Sequence, residues 1–465
     1  MNLIYRTKQL LLLAGDLVCL TASFWLSLTL RAWRLPTWLE IERNLVPFAI
    51  VFVIWSIVNY INGLYDLDRN RRDLAFYRRI AETAGFSFVF GMAFFYLIPD
   101  QRIAPKTILI LTVVLGYGII ALWRTVYAAA GGAKTAAVRV VLAGYTNEGR
   151  YLLELTARRP EKEFAIVAII DPTADPPALP ETPFFRDLGA INQVVNDYQA
   201  DLVVIAPHIQ KESAAERQLY QVLFSPVEIT DFPHFYERLT GRIPPSTFSE
   251  GWFLQHLRRT QRPLYDKARA ATDYIVGALL IGLLLLLLPV VALAIRLNSP
   301  GPIFIKQRRV GYRGRLFTLY KFRSMYALSA DGSAEVGEYN FEKWVAKKGD
   351  QRVTPVGKFL RKTRLDELPQ AWNLLKRDVT LIGPRPERPE IVRELENRMP
   401  YYTLRHIVRP GLTGWALIHQ NYTDTVDKAL EKLQYDLYYI KNRSLLLDAI
   451  IALRTVNVLI RLMGQ

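Results

Sequence analysis

Four long apolar stretches dominate the first 130 residues of the chain. They cover about residues 9–30, 46–64, 81–98 and 107–128, and each could cross the roughly 30 Å core of a bilayer as a helix. The polar segment between the second and third stretches is rich in arginine, and basic loops of membrane proteins stay in the cytoplasm. The pattern predicts four transmembrane helices within residues 1–130, with both ends of this region on the cytoplasmic side.

A different pattern begins at residue 137. The short runs VRVVLAG, FAIVAIID and ADLVVIAP alternate with helix-like segments, which is typical of a parallel α/β sheet. The first run leads into GYTNEG, which has the spacing of a dinucleotide-binding glycine motif, but Thr146 occupies the middle glycine position. The strand pattern predicts a Rossmann-like cytosolic domain over 137–250. Because a β-branched residue obstructs the approach of a pyrophosphate, we expect this domain to bind no NAD(P).

A fifth apolar run, at about residues 270–297, has basic residues on both flanks, so the charge rule names no exterior end. Pro289 lies inside it, where it removes a backbone hydrogen bond and bends a helix. We expect a re-entrant helix, broken at Pro289, that enters and leaves by the cytoplasmic leaflet. The alternative is a kinked fifth span, which would place the rest of the chain away from nucleotide substrates.

The charge balance and the cysteine content narrow the range of partners. The formal net charge is +16, which indicates anionic partners such as phosphorylated substrates, membrane lipid headgroups or nucleic acid. The basic residues flank apolar segments and proline-rich or glycine-rich loops, so we expect no nucleic-acid partner. The single cysteine excludes an intramolecular disulfide framework and a cysteine-based zinc site.

The segment RKTRLDELPQAWNLL, residues 361–375, places two acids directly behind a basic run. Pro369 is tolerated in the first turn of a helix, which puts Asp366 and Glu367 at the N-terminal edge of that helix. The orphan N–H groups and the dipole there favour anions. Neighbouring helical side chains diverge by about 100°, so the two acids can take different tasks but do not face each other.

Three ordered blocks carry a family resemblance. They are PGPIFIKQRRVGYRGRLFTLYKFRSM, RVTPVGKFLRKTRLDELPQAWNLLKRDVTLIGPRPERPE and RPGLTGWALIHQNY. They resemble the signature blocks of the bacterial sugar transferases, the polyprenyl-phosphate hexose-1-phosphate transferases, and the preceding regions are similar to the long form of that family. The resemblance covers residues 265–465 closely. Two departures are Arg377, where the family tends to have glycine, and Leu417, where it usually has glutamine.

The resemblance implies a reaction, a cofactor and a location. Asp366 would be the nucleophile, and Glu367 would bind Mg²⁺ that bridges the diphosphate of a UDP-hexose. Attack on the sugar-linked phosphorus would expel UMP, and undecaprenyl phosphate would then take the sugar phosphate from Asp366. The implied fold is a mainly α catalytic domain over 265–465 with a re-entrant helix at 270–297. This domain would face the cytoplasm at the bacterial inner membrane, and the reaction would begin capsule, exopolysaccharide or O-antigen synthesis.

Phosphoryl transfer depends on charge neutralisation, so cations are expected around the two acids. Arg385 is the strongest candidate, because Pro384 and Pro386 stiffen the chain on either side of its planar fork. Gly411 and Gly414 would form a tight loop near the nucleotide, where Trp415 is either a core anchor or a uracil-stacking residue. The other candidate substrate-binding cations are Lys321, Arg323, Arg364 and Arg388.

Two other function classes compete with this interpretation. A membrane-anchored nucleotide-sugar dehydratase or epimerase would need an intact glycine motif, which Thr146 interrupts, and a Tyr-x-x-x-Lys pair. A non-enzymatic scaffold of polysaccharide export would have no need for the pair Asp366–Glu367 within basic, proline-rich blocks. The Rossmann-like domain is a candidate surface for homodimer formation. The identity of the sugar stays open among galactose, glucose and their N-acetylated or deoxygenated relatives.

Overall fold

The chain forms two compact units, Met1–Phe232 and Pro233–Gln465. The computed structural model describes residues 3–65, 74–97, 106–129, 137–157, 164–177, 182–210, 220, 222, 224–225, 227–257, 262–327, 352–420 and 425–460. Most of the arginine-rich loop that predicts the membrane orientation, at 66–73, lies outside the described residues. The orientation therefore stays a prediction.

Four helices form the start of the first unit. They are α1 (Leu3–Ala32), α2 (Trp38–Ile61), α3 (Leu74–Leu97) and α4 (Lys106–Ala129). Helix α1 packs on α2 and α4, and α3 packs on α2 and α4, so the four surround one core. Within the described part of the chain, α1, α2 and α4 are long and apolar enough to cross a membrane, and α3 is equally helical over the predicted third span. The four predicted helices are confirmed as helices.

Polar side chains inside this bundle join the helices to one another. Arg124 of α4 forms an ion pair with Asp16 of α1, with 2.6 Å between Nη2 and Oδ2, and also donates to the carbonyl oxygen of Leu64. The Tyr117 hydroxyl donates to Asn59 Oδ1 at 2.7 Å. Unpaired polar groups are costly in hydrocarbon, so these pairs favour one arrangement of the bundle over alternatives.

The second part of the first unit is a parallel five-stranded sheet in the order β3-β2-β1-β4-β5. Its core consists of the β-branched runs noted in the sequence, which are buried on both faces. This confirms the α/β prediction. The elements are β1 (Val138–Ala143), α5 (Asn147–Ala157), β2 (Phe164–Ile170), β3 (Phe184–Phe185), α6 (Ile191–Asp197), β4 (Leu202–Ile205), α7 (Pro207–Gln210) and β5 (Glu228–Asp231).

The turn after β1 is occupied by the domain's own groups. Gly144 has φ +102°, and a Cβ there would overlap the ring of His208. Asp171, the acid at the end of β2, is fully buried and accepts from the Tyr145 N–H at 2.7 Å and from His208 Nε2 at 2.9 Å. Burial raises the pKa of Asp171, but these donors and the Thr173 N–H lower it to about 2. Because the Asp171 carboxylate already accepts hydrogen bonds within its own domain, it is not free to bind a ribose. This supports the expectation that no dinucleotide binds, which stays a prediction.

The divide between the units lies earlier than the predicted domain end at residue 250. Apart from Phe232, helices α8 (Phe232–Thr240) and α9 (Glu250–Leu257) belong to the second unit, where Lys441 pairs with Glu237 at 2.6 Å. Phe253 and Leu257 lie in the same core as Leu437. The segment after the sheet buries its apolar side chains in the second unit, so the division between the units falls at residue 232. The predicted end of the Rossmann-like domain at residue 250 stays a prediction.

The second unit is mainly helical, as predicted, with two small sheets. Strands β6 (Phe304–Val310) and β7 (Leu316–Phe322) form an antiparallel hairpin, and β8 (Thr380–Ile382) pairs in parallel with β9 (Gly411–Thr413). A 3₁₀ helix spans Leu365–Gln370. The helices are α10 (Pro263–Asn298), α11 (Pro355–Lys362), α12 (Ala371–Leu375), α13 (Pro389–Arg398), α14 (Trp415–His419), α15 (Val426–Asn442) and α16 (Leu445–Ile460).

Helix α10 is continuous over 36 residues, with Pro289 inside it, so the expected interruption of helical structure is absent from this helix. One face, including Asp273, Gly277, Val291 and Ile295, is buried against the unit. The opposite face exposes large aliphatic side chains at helical spacing. They are Ile275, Leu279, Leu283, Leu286, Val290, Leu293 and Leu297. This helix also has the length and hydropathy of a membrane span, and its re-entrant course stays a prediction.

Three glycines allow β8 and β9, together with the residues that follow them, to approach each other closely. The Gly383 N–H donates to the Thr413 carbonyl at 2.8 Å, and the Gly411 N–H donates to the Pro384 carbonyl at 2.9 Å. A Cβ on Gly411 or Gly414 would overlap the backbone of Gly383. Any side chain at these positions would push the two segments apart.

Replacing Gly411 by alanine should destabilise the second unit by about 1–3 kcal/mol, as overpacking of a close contact does. The matched control is Gly251→Ala in α9, where an added Cβ has no heavy atom within 4 Å and alanine favours the helix. Thermal unfolding of the detergent-solubilised proteins should show a lower midpoint for Gly411→Ala and no loss for Gly251→Ala. Equal midpoints for Gly411→Ala and the parent chain would contradict the close contact between Gly411 and the backbone of Gly383.

Candidate active site

The local sequence turns the chain sharply before the two acids. Helix α11 begins with Thr354, whose hydroxyl accepts from the Gly357 N–H at 2.9 Å, and it ends at Lys362. Arg364 then takes a left-handed conformation, with φ +58°. Asp366 and Glu367 follow in the first turn of the 3₁₀ helix. The predicted position at a helix start is confirmed, although the first turn is 3₁₀, in which adjacent side chains diverge by about 120°.

Glu367 is held by two cations from different parts of the unit. Its Oε1 accepts from Lys321 Nζ at 2.9 Å and from Arg385 Nη2 at 2.7 Å, and Arg364 Nη1 lies 4.0 Å away. Burial raises the pKa of Glu367, but the Arg385 and Lys321 charges and hydrogen bonds bring it well below its ordinary range. Glu367 is therefore an ionised, neutralised carboxylate.

Asp366 has the opposite environment. Its side chain is buried, and Oδ1 has no hydrogen-bond partner among the described residues. Burial raises the pKa of Asp366, Lys321 lowers it, and the charge of Glu367 raises it further. Buried polar atoms are normally partnered, so an unpartnered carboxylate oxygen marks a position prepared for another group. The pKa values of these two neighbouring acids are thus shifted in opposite directions, as they are in sites where two carboxylates have different chemical tasks.

A buried charge network lies behind the Arg385 loop. The Arg385 carbonyl accepts from Arg405 Nη2 at 3.0 Å, and Arg405 is fully buried. Arg405 pairs with Asp436 of α15 at 2.8 Å and lies 3.9 Å from Glu387, which also binds Lys432. Burial raises the pKa of Glu387, but Lys432 and Arg405 bring it far below its ordinary range.

This network was not predicted from the sequence. Its available signal was Asp436, which lies next to Leu437 and three residues after Leu433 on the core-facing side of α15. A charged residue within the apolar face of a helix requires a buried partner. Nothing in the chain order indicates that the partner is Arg405.

Arg323 is bound at the end of α10, and no described hydrogen bond or ion pair joins it to the two acids, so its predicted substrate contact stays a prediction. It is only 2% exposed, and its guanidinium donates to the carbonyls of Ser299 and Pro300 at 2.6 Å each. These carbonyls directly follow α10, where a cation satisfies the unpaired acceptors at a helix end. Arg323 thus fixes the end of α10. Arg388 precedes α13, and its predicted substrate contact stays a prediction.

The glycine loop also has a structural task. Gly411 and Gly414 face the backbone of Gly383, so they bring the two segments together, and their predicted place near the nucleotide stays a prediction. Trp415 is a core anchor: its Nε1 donates to the Gly241 carbonyl at 2.8 Å, and its ring stacks on Tyr438 with 5.5 Å between centroids. This decides between the two interpretations of Trp415.

The acids fit Mg²⁺ in one particular way. Among the described residues, no group of three or more histidine, cysteine or acidic side chains is arranged to hold a metal ion. Mg²⁺ commonly takes one or two carboxylates and completes its shell with substrate phosphates and water. The described hydrogen bonds of Glu367 all fall on Oε1, so its Oε2 would suit an ion that arrives with a diphosphate, and Mg²⁺ stays a prediction.

Two family models match the chain. One, described as a bacterial sugar transferase, matches residues 264–462, and the other, described as a CoA-binding domain, matches residues 60–233. The first match contains the two acids, both small sheets and α10. The second contains the parallel sheet.

Several named proteins are similar to this chain. A UDP-N-acetylgalactosamine-undecaprenyl-phosphate N-acetylgalactosaminephosphotransferase of Aeromonas hydrophila is 37% identical over 59% of this chain and 60% of its own length. A UDP-glucose:undecaprenyl-phosphate glucose-1-phosphate transferase of Klebsiella pneumoniae is 28% identical over 89% of this chain and 88% of its own. The enzyme of the same name from Caulobacter vibrioides is 38% identical over 42% of this chain and 70% of its own. With these matches, the chain belongs to the bacterial sugar transferase family, a family of transferase enzymes.

Proposed function

We propose that this protein transfers a hexose 1-phosphate from a UDP-sugar to undecaprenyl phosphate, releasing UMP and undecaprenyl-diphosphate-sugar. One observation carries the assignment of roles: a buried, unpartnered Asp366 oxygen stands beside a Glu367 that two cations neutralise. The names of the relatives support the two substrates. Such a transfer would be the first membrane step of capsule, exopolysaccharide or O-antigen synthesis.

The proposed reaction has two displacements at phosphorus. An oxygen of Asp366 attacks the sugar-linked phosphorus, the bond to the UMP oxygen breaks, and UMP departs. The product on the enzyme is a phosphosugar acyl phosphate. An oxygen of undecaprenyl phosphate then attacks the same phosphorus and releases the Asp366 carboxylate. Low exposure of Asp366 limits hydrolysis of the intermediate by water, because few water molecules can reach it.

The neighbouring side chains stabilise charge on the phosphates. Lys321 and Arg385 are already held beside Asp366 by Glu367, so they need little rearrangement when a diphosphate binds. Glu367 would hold Mg²⁺, which when bound neutralises the diphosphate and makes UMP a better leaving group. The half-exposed Arg364 stands at the edge of the site, where it can meet the nucleotide side of the substrate.

We place the catalytic unit on the cytoplasmic face of the inner membrane, with α10 re-entrant. Both ends of α10 contact the same unit: Arg269 Nη2 donates to Thr380 Oγ1 at 3.1 Å, and Asn298 Oδ1 accepts from the Val356 N–H at 3.2 Å. A helix that crossed the bilayer would have its ends on opposite sides. The exposed aliphatic face of α10 supports immersion of the middle of the helix in lipid.

The function is tested by incubating the detergent-solubilised full chain with Mg²⁺, undecaprenyl phosphate and one UDP-sugar at a time. The relatives are named for N-acetylgalactosamine, glucose and galactose transfer, so these three sugars form the panel. Release of UMP with one of them, together with a labelled lipid product, is the expected result. Release of UDP in place of UMP, or sugar oxidation or epimerisation without a lipid product, would contradict it.

Topology can be tested with single cysteines in a Cys19→Ser background. Arg262→Cys and Lys306→Cys lie on either side of α10, and both positions are exposed. If α10 is re-entrant, both thiols should react only with reagents that reach the cytoplasm, because both ends of the helix lie on that side. Labelling of position 306 by an impermeant reagent added to intact cells, without labelling of position 262, would establish a fifth span.

The two acids should fail differently when each is replaced by its amide. Asp366→Asn should lose the labelled sugar-phosphate adduct and all turnover at every Mg²⁺ concentration, because an amide cannot form the acyl phosphate. Glu367→Gln retains one ligand oxygen without its charge, so adduct formation should fall steeply and recover in part as Mg²⁺ rises.

The matched control for these variants is Lys362→Ala, which removes an exposed charge four residues from Asp366 and should keep activity. The adduct should form from radiolabelled UDP-sugar without lipid acceptor and discharge when undecaprenyl phosphate is added. UMP that appears only when both substrates are present would refute the covalent step while leaving the overall transfer intact.

Arg405 should act as a positioning residue for Arg385. Arg405→Lys keeps the positive charge but loses the planar guanidinium, whose Nη2 donates to the Arg385 carbonyl and lies 2.8 Å from Asp436 Oδ2. Loss of one hydrogen bond to a charged group costs about 1.5–3 kcal/mol. We expect kcat/KM for the UDP-sugar to fall on the order of tenfold or more, mainly through KM. An unchanged KM with a lowered thermal midpoint would mean that Arg405 only stabilises the fold.

A further inference from the structure

A basic cavity of about 490 Å³ lies beside the N-terminal turns of α10. None of its lining residues belongs to the group formed by Asp366, Glu367, Lys321 and Arg385. Two carboxylates, Asp266 and Asp273, reach its wall. The cations that line it are Lys267, Arg269, Arg313, Arg377, Arg409 and Arg443.

The two carboxylates of the cavity wall already accept hydrogen bonds from the protein. Asp273 accepts from the Thr380 hydroxyl at 2.8 Å and from the Leu381 N–H at 2.8 Å. Asp266 Oδ2 accepts from the backbone N–H of Arg262 at 3.3 Å. The described residues give Arg313, Arg377 and Arg409 no carboxylate partner, so positive charge is in excess and favours an anion. This identifies the sign of the ligand.

The three arginines are held in place, and two of them have unusual backbone. Arg313 and Arg377 have φ +56° and +61°, a left-handed conformation that side chains other than glycine rarely adopt. The guanidinium carbons of Arg313 and Arg409 lie 5.1 and 5.4 Å from the centroid of the Tyr312 ring. Arg377 Nε is buried without a hydrogen-bond partner among the described residues. Such strain is concentrated at functional sites.

The cavity is also placed where charge gives way to apolar surface. Asp273 is the last charged residue of α10 before its long apolar run, and Ile275 and Leu279 are more than 60% exposed. If α10 is immersed in lipid, charged residues at this end belong at the headgroup level. A ligand with an anionic head and apolar chains would match both surfaces.

We propose that this cavity binds the phosphate headgroup of an anionic glycerophospholipid, with its acyl chains along the exposed face of α10. A phosphate between two or more arginines makes charge-assisted hydrogen bonds. An acceptor lipid in its reacting position must reach Asp366, which is not part of the cavity wall, so a resident bilayer lipid fits better than the acceptor. The binding does not depend on the proposed transfer reaction, but it rests on the proposed immersion of α10 in lipid.

The proposal is tested with the full chain in phosphatidylcholine nanodiscs that contain a small fraction of phosphatidylglycerol carrying a photoreactive headgroup. Crosslinked peptides are identified by mass spectrometry after irradiation. We expect crosslinks to the cavity wall, and a double variant Arg313→Gln/Arg409→Gln should lose them on the order of thirtyfold, from about 1 kcal/mol for each basic residue. Arg377→Gln, as an independent variant, should weaken them as well.

Arg315→Gln is the matched control, because Arg315 is an exposed cation two residues from Arg313 that does not line the cavity. It should leave the crosslinks unchanged, and all variants should keep the parent's thermal midpoint. Equal crosslinking by photoreactive phosphatidylcholine, or full crosslinking of both cavity variants, would overturn the proposal.

Three competitors distinguish the source of the phosphate. Unlabelled phosphatidylglycerol should displace the probe, whereas inorganic phosphate and UDP should not. Displacement by a trace of undecaprenyl phosphate would assign the cavity to the acceptor and reject the bilayer lipid. Displacement by UDP would assign it to the nucleotide and reject both lipids.

Discussion

The ion pairs that Glu367 forms with Lys321 and Arg385 join three separate parts of the second unit. Lys321 comes from the β6–β7 hairpin, Glu367 from the 3₁₀ helix, and Arg385 from the loop after β8. Without Glu367, Lys321 and Arg385 would repel each other. Without these two cations, Glu367 would be an unpaired buried charge. Together they leave Asp366 as the carboxyl group with an unpartnered oxygen, so its chemistry depends on its neighbour's pairing.

This cluster needs a rigid support, which the structure provides in two layers. The close backbone contact among Gly383, Gly411 and Gly414 sets the position of the Arg385 loop. Behind it, Arg405 bonds the Arg385 carbonyl and pairs with Asp436. A buried ion pair is expensive to desolvate, so it contributes specificity of arrangement more than net stability. That suits a site where a displacement of about 1 Å changes the rate.

Helix α10 is the proposed connection between this site and the membrane. Its buried face packs on α12 and the 3₁₀ helix that carry the active-site segment, and Arg323 fixes its C-terminal end. Its other face is aliphatic and exposed. The helix that would contact lipid and the segment that carries the two acids therefore pack against each other within one unit. The basic cavity at the N-terminal turns of α10 adds a charged surface at the same boundary.

Short-range patterns were enough for much of this architecture. Hydropathy predicted the four N-terminal helices, β-branched runs predicted the parallel sheet, and the order of the motif blocks predicted a family and its two acids. These features are local, because the period of a helix or strand and the residues of a motif are written within a short window. The proline after the acids likewise placed Asp366 and Glu367 at the start of a helical turn.

Long-range partners were decided by the tertiary structure. Arg323 belonged to a matching block, yet it is bound at the end of α10, while Arg405 and Asp436 went unrecognised although they support the Arg385 loop. Arg377 could be noted as a departure from glycine, but only the fold shows its left-handed backbone and its place in a cavity wall. The sequence thus determined which elements form and which two acids are proposed to carry the chemistry. Which cations surround those acids depends on contacts between residues tens of positions apart, and only packing brings such residues together.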